Sequence, residues 1–124
     1  EELGRKGMKT ASGKAGEDHI AAWLEKQGYE ILARNFHSRY GEIDIIAKRE
    51  PYIAFVEVKT RTERSLVSPF EAVTPQKQRK IFATAEVFLQ QHPSRLQPRF
   101  DAAAVYLRDG KIVGECYLPN AFGI

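Results

Sequence analysis

Apolar residues recur at helical spacing early in the chain. At ~100° per residue, Ile20, Ala21, Trp23 and Leu24 fall on one side of a helix. That helix is predicted to start near Ser12, which can cap it, and to stop at Gly28. A short strand from about Tyr29 to Asn35 follows. Two apolar runs, Ile43–Ala47 and Tyr52–Val58, flank Lys48–Pro51 and predict a β-hairpin. The second run is apolar on both faces except at Glu57, as expected of a central strand. A second helix is predicted from Pro75 to about Gln91, with Thr74 as cap and proline at its first position. Ile81, Phe82, Ala85, Phe88 and Leu89 form its apolar stripe, and His92-Pro93 ends it. Phe100–Leu107 and Lys111–Leu118 read as two strands around Asp109-Gly110, a strong hairpin signal. The order α, β, β, β, α, β, β predicts an α/β fold, a mixed sheet with helices packed against it.

Composition narrows the class. The 124 residues suit one domain, with 43% hydrophobic and 28% charged residues able to support a real core. Residues 12–124 are expected to form that domain, and residues 1–11, EELGRKGMKTA, to be a flexible arm. No apolar run approaches the roughly 20 residues of a membrane helix, and no secretory leader pattern is present. Cys116 is the only cysteine, which fits a reducing cytoplasm. Net charge is +3 and the pI about 9.1, compatible with a polyanionic partner or with a solvated basic surface.

The informative positions are charges inside apolar strands. Charged residues are almost never fully buried unless paired or bound to a metal. Asp44 interrupts one such strand, and Glu57 and Lys59 another. Glu57 and Lys59 are two apart, so both leave the same face, about 7 Å apart along the chain. In a hairpin, Asp44 reaches them from the neighbouring strand. Two carboxylates brought together repel, and a hard divalent cation such as Mg²⁺ relieves this through oxygen ligands. Lys59 could then position or activate water, or stabilise charge on a phosphate. The alternative is an internal salt-bridge network. Glu17 precedes Ile20, Ala21 and Leu24 by three, four and seven residues, so it points to the buried side of the first helix, whereas Asp18 and Glu25 face water. A carboxylate there joins the cluster as a further metal ligand or a water-orienting group, or serves only as an acid favoured near the helix N-terminus.

At these residues the chain resembles a known group. Asp44, twelve residues, then Glu57-Val58-Lys59 looks like the Asp…(Asp/Glu)-x-Lys signature of the restriction-endonuclease-like superfamily. More closely, the chain is similar to the bacterial YraN-like family of uncharacterised proteins, which is related to archaeal Holliday-junction resolvases. The matching pieces are GKAGE (Gly13 to Glu17), Gly28-Tyr29, ARNF (Ala33 to Phe36), GEIDII (Gly41 to Ile46), FVEVKTR (Phe55 to Arg61), AVTPQKQRK (Ala72 to Lys80), RFD (Arg99 to Asp101) and Asn120-Ala121-Phe122. The resemblance implies a restriction-endonuclease-like mixed β-sheet flanked by helices. It further implies a Mg²⁺- or Mn²⁺-dependent phosphodiesterase site acting on nucleic acid, expected to be DNA and including branched, Holliday-junction-like DNA. Carried over by position, Asp44 and Glu57 are metal ligands, Lys59 is the catalytic lysine, and Glu17 matches the helix glutamate of the resolvase-like enzymes.

Basic residues surround the expected site. Lys77, Arg79 and Lys80 occupy the first two turns of the second helix, where cations oppose the helix dipole and a phosphate would remove the conflict. Arg61 and Arg64 follow the lysine strand, and Arg61 continues the parity of Glu57 and Lys59. Arg34, Arg39 and Tyr40 flank the entry to the Asp44 strand, where a tyrosine beside arginines can stack on a base or pack in the hairpin. His19, His37 and His92 lack metal-ligand spacing, so no zinc site is expected. Asp101, after Arg99, reads as half of a structural ion pair. A homodimer is compatible with the apolar tail YLPNAFGI, which can pack on a partner or cover its own core. The leading expectation is a metal-dependent endonuclease. The alternatives are a non-catalytic nucleic-acid-binding module on the same fold and an interaction scaffold whose strand charges form a salt-bridge network.

Overall fold

The structure, a computed structural model, describes residues 10–62 and 73–123. Helix α1 spans Ala11–Lys26. Strands β1 (Glu30–Ser38), β2 (Gly41–Arg49) and β3 (Tyr52–Thr62) follow, then helix α2 (Pro75–Gln91) and strands β4 (Gln97–Arg108) and β5 (Lys111–Phe122). The expected α, β, β, β, α, β, β order is present. The five strands lie in the sheet in chain order, antiparallel except for the parallel β3–β4 pair. A parallel neighbour requires a crossover, and α2 lies in that connection. The result is a mixed α/β architecture compatible with a restriction-endonuclease-like fold.

The helix ends differ from the expected ones for local reasons. Thr10, not Ser12, caps α1: its side-chain oxygen accepts the Gly13 N–H at 3.0 Å. Thr10 and Ala11, expected in a flexible arm, therefore belong to the folded unit. At the other end the helix stops at Lys26, two residues before Gly28. Gly28 takes a left-handed φ of +94° and donates to Glu25, while Tyr29 N–H reaches back to the Leu24 carbonyl at 3.0 Å. This paired closure satisfies two terminal carbonyls and favours glycine. Helix α2 has the expected bounds, and Thr74 accepts the Lys77 N–H at 3.1 Å.

Both faces of the sheet are covered. On one face Ile20, Ala21 and Leu24 of α1 pack on Ile45, Ala47, Ala54, Val56, Ala103 and Val105. On the other, Ile81, Ala85 and Phe88 of α2 pack on Ile46, Ile53 and Phe55. Burial on both faces explains why β2 and β3 read as nearly continuous apolar runs. A buried Cβ on Gly16 would lie 2.3 Å from Thr60 Oγ1, so α1 rests on the end of β3 only because residue 16 has no side chain. Asp109 and Gly110 both have positive φ, as a two-residue hairpin turn demands.

A buried polar exception on β4 is an ion pair. Asp101 is fully buried. It accepts from Arg99 Nε at 3.0 Å and Nη2 at 2.8 Å, from the Asn120 N–H at 2.8 Å and from the Tyr117 hydroxyl. The Arg99 guanidinium also stacks over Tyr52 and bonds the Tyr29 hydroxyl. The expected structural ion pair is thus part of a closed network. Burial, reinforced by the adjacent Asp101 charge, raises the Tyr117 phenol far above its ordinary value.

Candidate functional site

The sheet opens where β2 begins and β3 ends. The β2–β3 pairing runs from Arg49↔Tyr52 to Ile45↔Val56. One step further the Asp44 carboxylate replaces the ladder, accepting the Val58 N–H at 2.8 Å. This divergence makes the wall of a cleft of about 460 Å³. Its other walls are the cap Thr10 with Ser12, Gly13 and Glu17 of α1, the Glu57–Thr60 end of β3, and Lys77, Lys80 and Ile81 of α2. The starts of both long helices therefore border the same space.

All four expected site residues line it. Asp44, Glu57 and Glu17 are 7%, 6% and 4% exposed. Lys59 Nζ stands 3.1 Å from Glu57 Oε2, on the face that strand parity assigns to both. Glu17 is directed inward as its helical phase requires, and Asn35 Nδ2 donates to it at 2.9 Å. Among the described residues the cleft is lined by four carboxylates, with Glu42 the fourth, against Lys59, Lys77 and Lys80, one formal negative charge in excess.

Two residues not expected at the centre shape it. Lys77 was expected to face a nucleic acid, but its ammonium lies 2.5 Å from Glu57 Oε2, the same oxygen that Lys59 approaches. Burial opposes the Lys77 charge, but the Glu57 carboxylate outweighs it and raises the ammonium above the ordinary lysine value. Lys59 moves the opposite way. Burial lowers it, the Lys77 ammonium adds to that, and Glu57 offsets only part. Asn35 occupies the register position opposite Asp44, between Arg34↔Ile45 and Phe36↔Ile43, with a left-handed φ of 51°. Its amide also reaches Glu42 at 3.5 Å, and Glu42 meets His37 at 3.1 Å. Asparagine tolerates that backbone conformation better than most residues, but period-two reading of a strand gives no sign of it.

The basic residues divide. Lys80 joins Lys77 in the lining. Arg61 does not: its guanidinium bonds the Thr60 carbonyl at 3.2 Å. Arg79 is exposed on α2 outside the cleft, and Arg39 lies over the Tyr40 ring. Arg64 falls outside the described residues. Arg34 pairs with Asp18 at 2.7 Å.

The donor set is oxygen-rich and suits a hard cation. Among the described residues, however, no three His, Cys, Asp or Glu side chains form a ready-made metal cluster. Asp44 and Glu57 supply one carboxylate each from adjacent strands. Magnesium is commonly held by one or two carboxylates together with waters and substrate phosphates, so the pair fits such an ion without a full protein cage. No helix among the described residues is long and apolar enough to cross a membrane.

Fold and cleft define a mixed α/β protein with a buried acidic pair and two lysines at the opening of its sheet. The chain belongs to the UPF0102 family: the profile described as "Uncharacterised protein family UPF0102" matches residues 16–105. That span contains Glu17, Asn35, Asp44, Glu57, Lys59, Lys77 and Lys80. A UPF0102 protein of Chloroherpeton thalassium is 45% identical over 102 residues, covering 82% of this chain and 79% of its own. One from Trichlorobacter lovleyi is 46% identical over 116 residues, covering 92% and 91%. One from Caldanaerobacter subterraneus is 43% identical over 121 residues, covering 95% and 99%.

Proposed function

We propose that the chain is a divalent-metal-dependent endonuclease that hydrolyses phosphodiester bonds in DNA, branched DNA included. The observation that carries this reading is the juxtaposition of buried Asp44 and Glu57 with Lys59 in a cleft bordered by both helix starts. Burying two acids near each other is costly, and a structure that only needed stability would gain by replacing them. A phosphodiester enzyme needs them. Asp44 and Glu57 would hold a Mg²⁺ or Mn²⁺ ion, which supplies Lewis-acid stabilisation of the charge on the phosphate. Lys59 assists the attacking water or meets charge developing on the phosphate. Glu17, held by Asn35, orients water at the α1 side. Lys80 and the first turn of α1 flank the cleft where substrate phosphates would lie.

The test is direct. Purified protein should cut labelled duplex, single-stranded or four-way-junction DNA in Mg²⁺ or Mn²⁺ and lose this in chelator. Asp44→Ala should abolish cutting. DNA binding that persists in chelator, with no cutting of any substrate, would favour a non-catalytic nucleic-acid-binding module instead.

A further inference from the structure

Glu57 Oε2 carries two ammonium groups, Lys59 at 3.1 Å and Lys77 at 2.5 Å. The first comes from the same strand. The second crosses from the start of α2, the element that packs on this face of the sheet. Its position is unfavourable for α2 itself. Thr74 forms half of a capping box by accepting the Lys77 N–H. The matching position, three residues on, usually holds glutamate or glutamine that reaches back to the cap. Here it holds a lysine, in a first turn with no acidic residue, where a cation opposes the helix dipole. The side chain leaves its own helix and seats its charge on the buried carboxylate of β3. Asp44, the other buried acid, also acts favourably on the Lys77 charge. The Lys77 ammonium thus occupies the Glu57 carboxylate oxygen that a cation bound there would take.

We propose that Lys77 is the resident counter-ion of the metal-free site, an exchangeable cation that a divalent ion must displace from Glu57. This rests on the metal-dependent reading above. Lys59 cannot play the part alone, because it is the less exposed of the two lysines and shares a strand with Glu57. Lys77 is nearly two-fifths exposed and has a four-carbon stem that can swing toward solvent. Displacement breaks one charge-assisted hydrogen bond, so the occupied site should bind metal about tenfold more weakly than a site without Lys77.

Calorimetric titration with Mn²⁺ alone tests this on the full chain, without any measurement of cleavage. Lys77→Met and Lys77→Gln should each bind Mn²⁺ about tenfold more tightly than wild type. The second variant keeps a polar side chain at a position where glutamine suits the helix start, so it guards against misfolding of the first. Circular dichroism confirms the fold of each. Mn²⁺ should also raise the melting temperature of the variants more than that of wild type. Binding of Mn²⁺ to wild type with equal or weaker binding to both variants would overturn the counter-ion role and leave the metal-dependent reading intact. Binding to the variants and not to wild type supports the counter-ion role. Absence of Mn²⁺ binding in wild type and both variants overturns the two together.

Discussion

The Asp44 carboxylate accepts the backbone N–H of Val58 at 2.8 Å. It does so one step beyond Ile45↔Val56, the last pair of the β2–β3 ladder. One side chain thereby closes the sheet's hydrogen bonding and holds a negative charge at the head of the cleft. Its structural and chemical contributions are separable, because accepting a hydrogen bond does not require ionisation.

Asp44→Asn should therefore keep most of the stability, since an amide oxygen can still accept the Val58 N–H. Asp44→Ala should cost about 1 kcal/mol or more through the stranded donor. Both should lose Mn²⁺-dependent cleavage. Urea midpoints and cleavage rates measured on the same preparations check this, and an active Asp44→Asn protein would remove the carboxylate from the reaction.

A second expectation concerns the contact of α1 with β3. A methyl group at residue 16 would stand 2.3 Å from Thr60 Oγ1. Gly16→Ala should destabilise by about 1–3 kcal/mol despite alanine's better helix propensity. Thr60→Ala in the same chain should recover most of that loss. A double-mutant cycle by thermal melting measures the coupling, and simple additivity would mean that α1 shifts freely on the sheet.

The buried network around Asp101 gives a third. Asp101→Ala leaves the Arg99 guanidinium without its carboxylate and the Asn120 N–H without its acceptor. Breaking one partner of a buried pair typically costs about 3–5 kcal/mol. Chemical denaturation should show a loss of that size, and a loss under 1 kcal/mol would mean that water replaces the carboxylate readily. Tyr117→Phe, which removes a single hydroxyl from the same group, should cost about 1 kcal/mol.

Lys59 makes stability pH-dependent in the metal-free protein. Burial first, and then Lys77, hold it below the ordinary lysine value of 10.5. Between that lowered value and 10.5 the unfolded chain binds the proton and the folded chain has released it. Stability therefore rises with pH across this window. Lys77 is shifted upward, so the stability it contributes is present below the ordinary lysine value and is lost only above it. Relative to Lys59→Met, wild type should gain stability as pH rises toward 10.5 in chelator. Denaturant midpoints at stepped pH test this, and a constant difference between the two proteins is the contrary result.

Much of this was readable from residue spacing because it depends on neighbours in sequence. Helical phase directs Glu17 inward, strand parity puts Glu57 beside Lys59, and Thr74-Pro75 marks the start of α2. Features made by meetings between distant elements were not readable. The Lys77–Glu57 contact requires the crossover that carries α2 over the sheet; a cation in the first turn of α2 signals a missing anion but not which one. The strands also run further than their apolar runs suggest. Pro98 lies in β4 before its pairing with β5 begins at Phe100, so a missing N–H costs little there. Pro119 is tolerated because β5 is the edge strand, at an irregularity where Asn120 takes a left-handed φ and turns its N–H to Asp101.

The acid-rich lining of the cleft has a consequence for what can approach it. The chain as a whole carries +3, yet the described residues lining the cleft sum to one formal negative charge. At distances beyond a Debye length of about 8–10 Å neither sign is felt strongly in physiological salt. Closer in, the proposed function would have a small mobile cation drawn into the pocket and a phosphate kept off its floor, near Lys80. On the proposed metal-dependent reading, sign and size would act in sequence: the interior would become hospitable to an anion only after a cation has arrived, giving an order of loading before any shape is recognised.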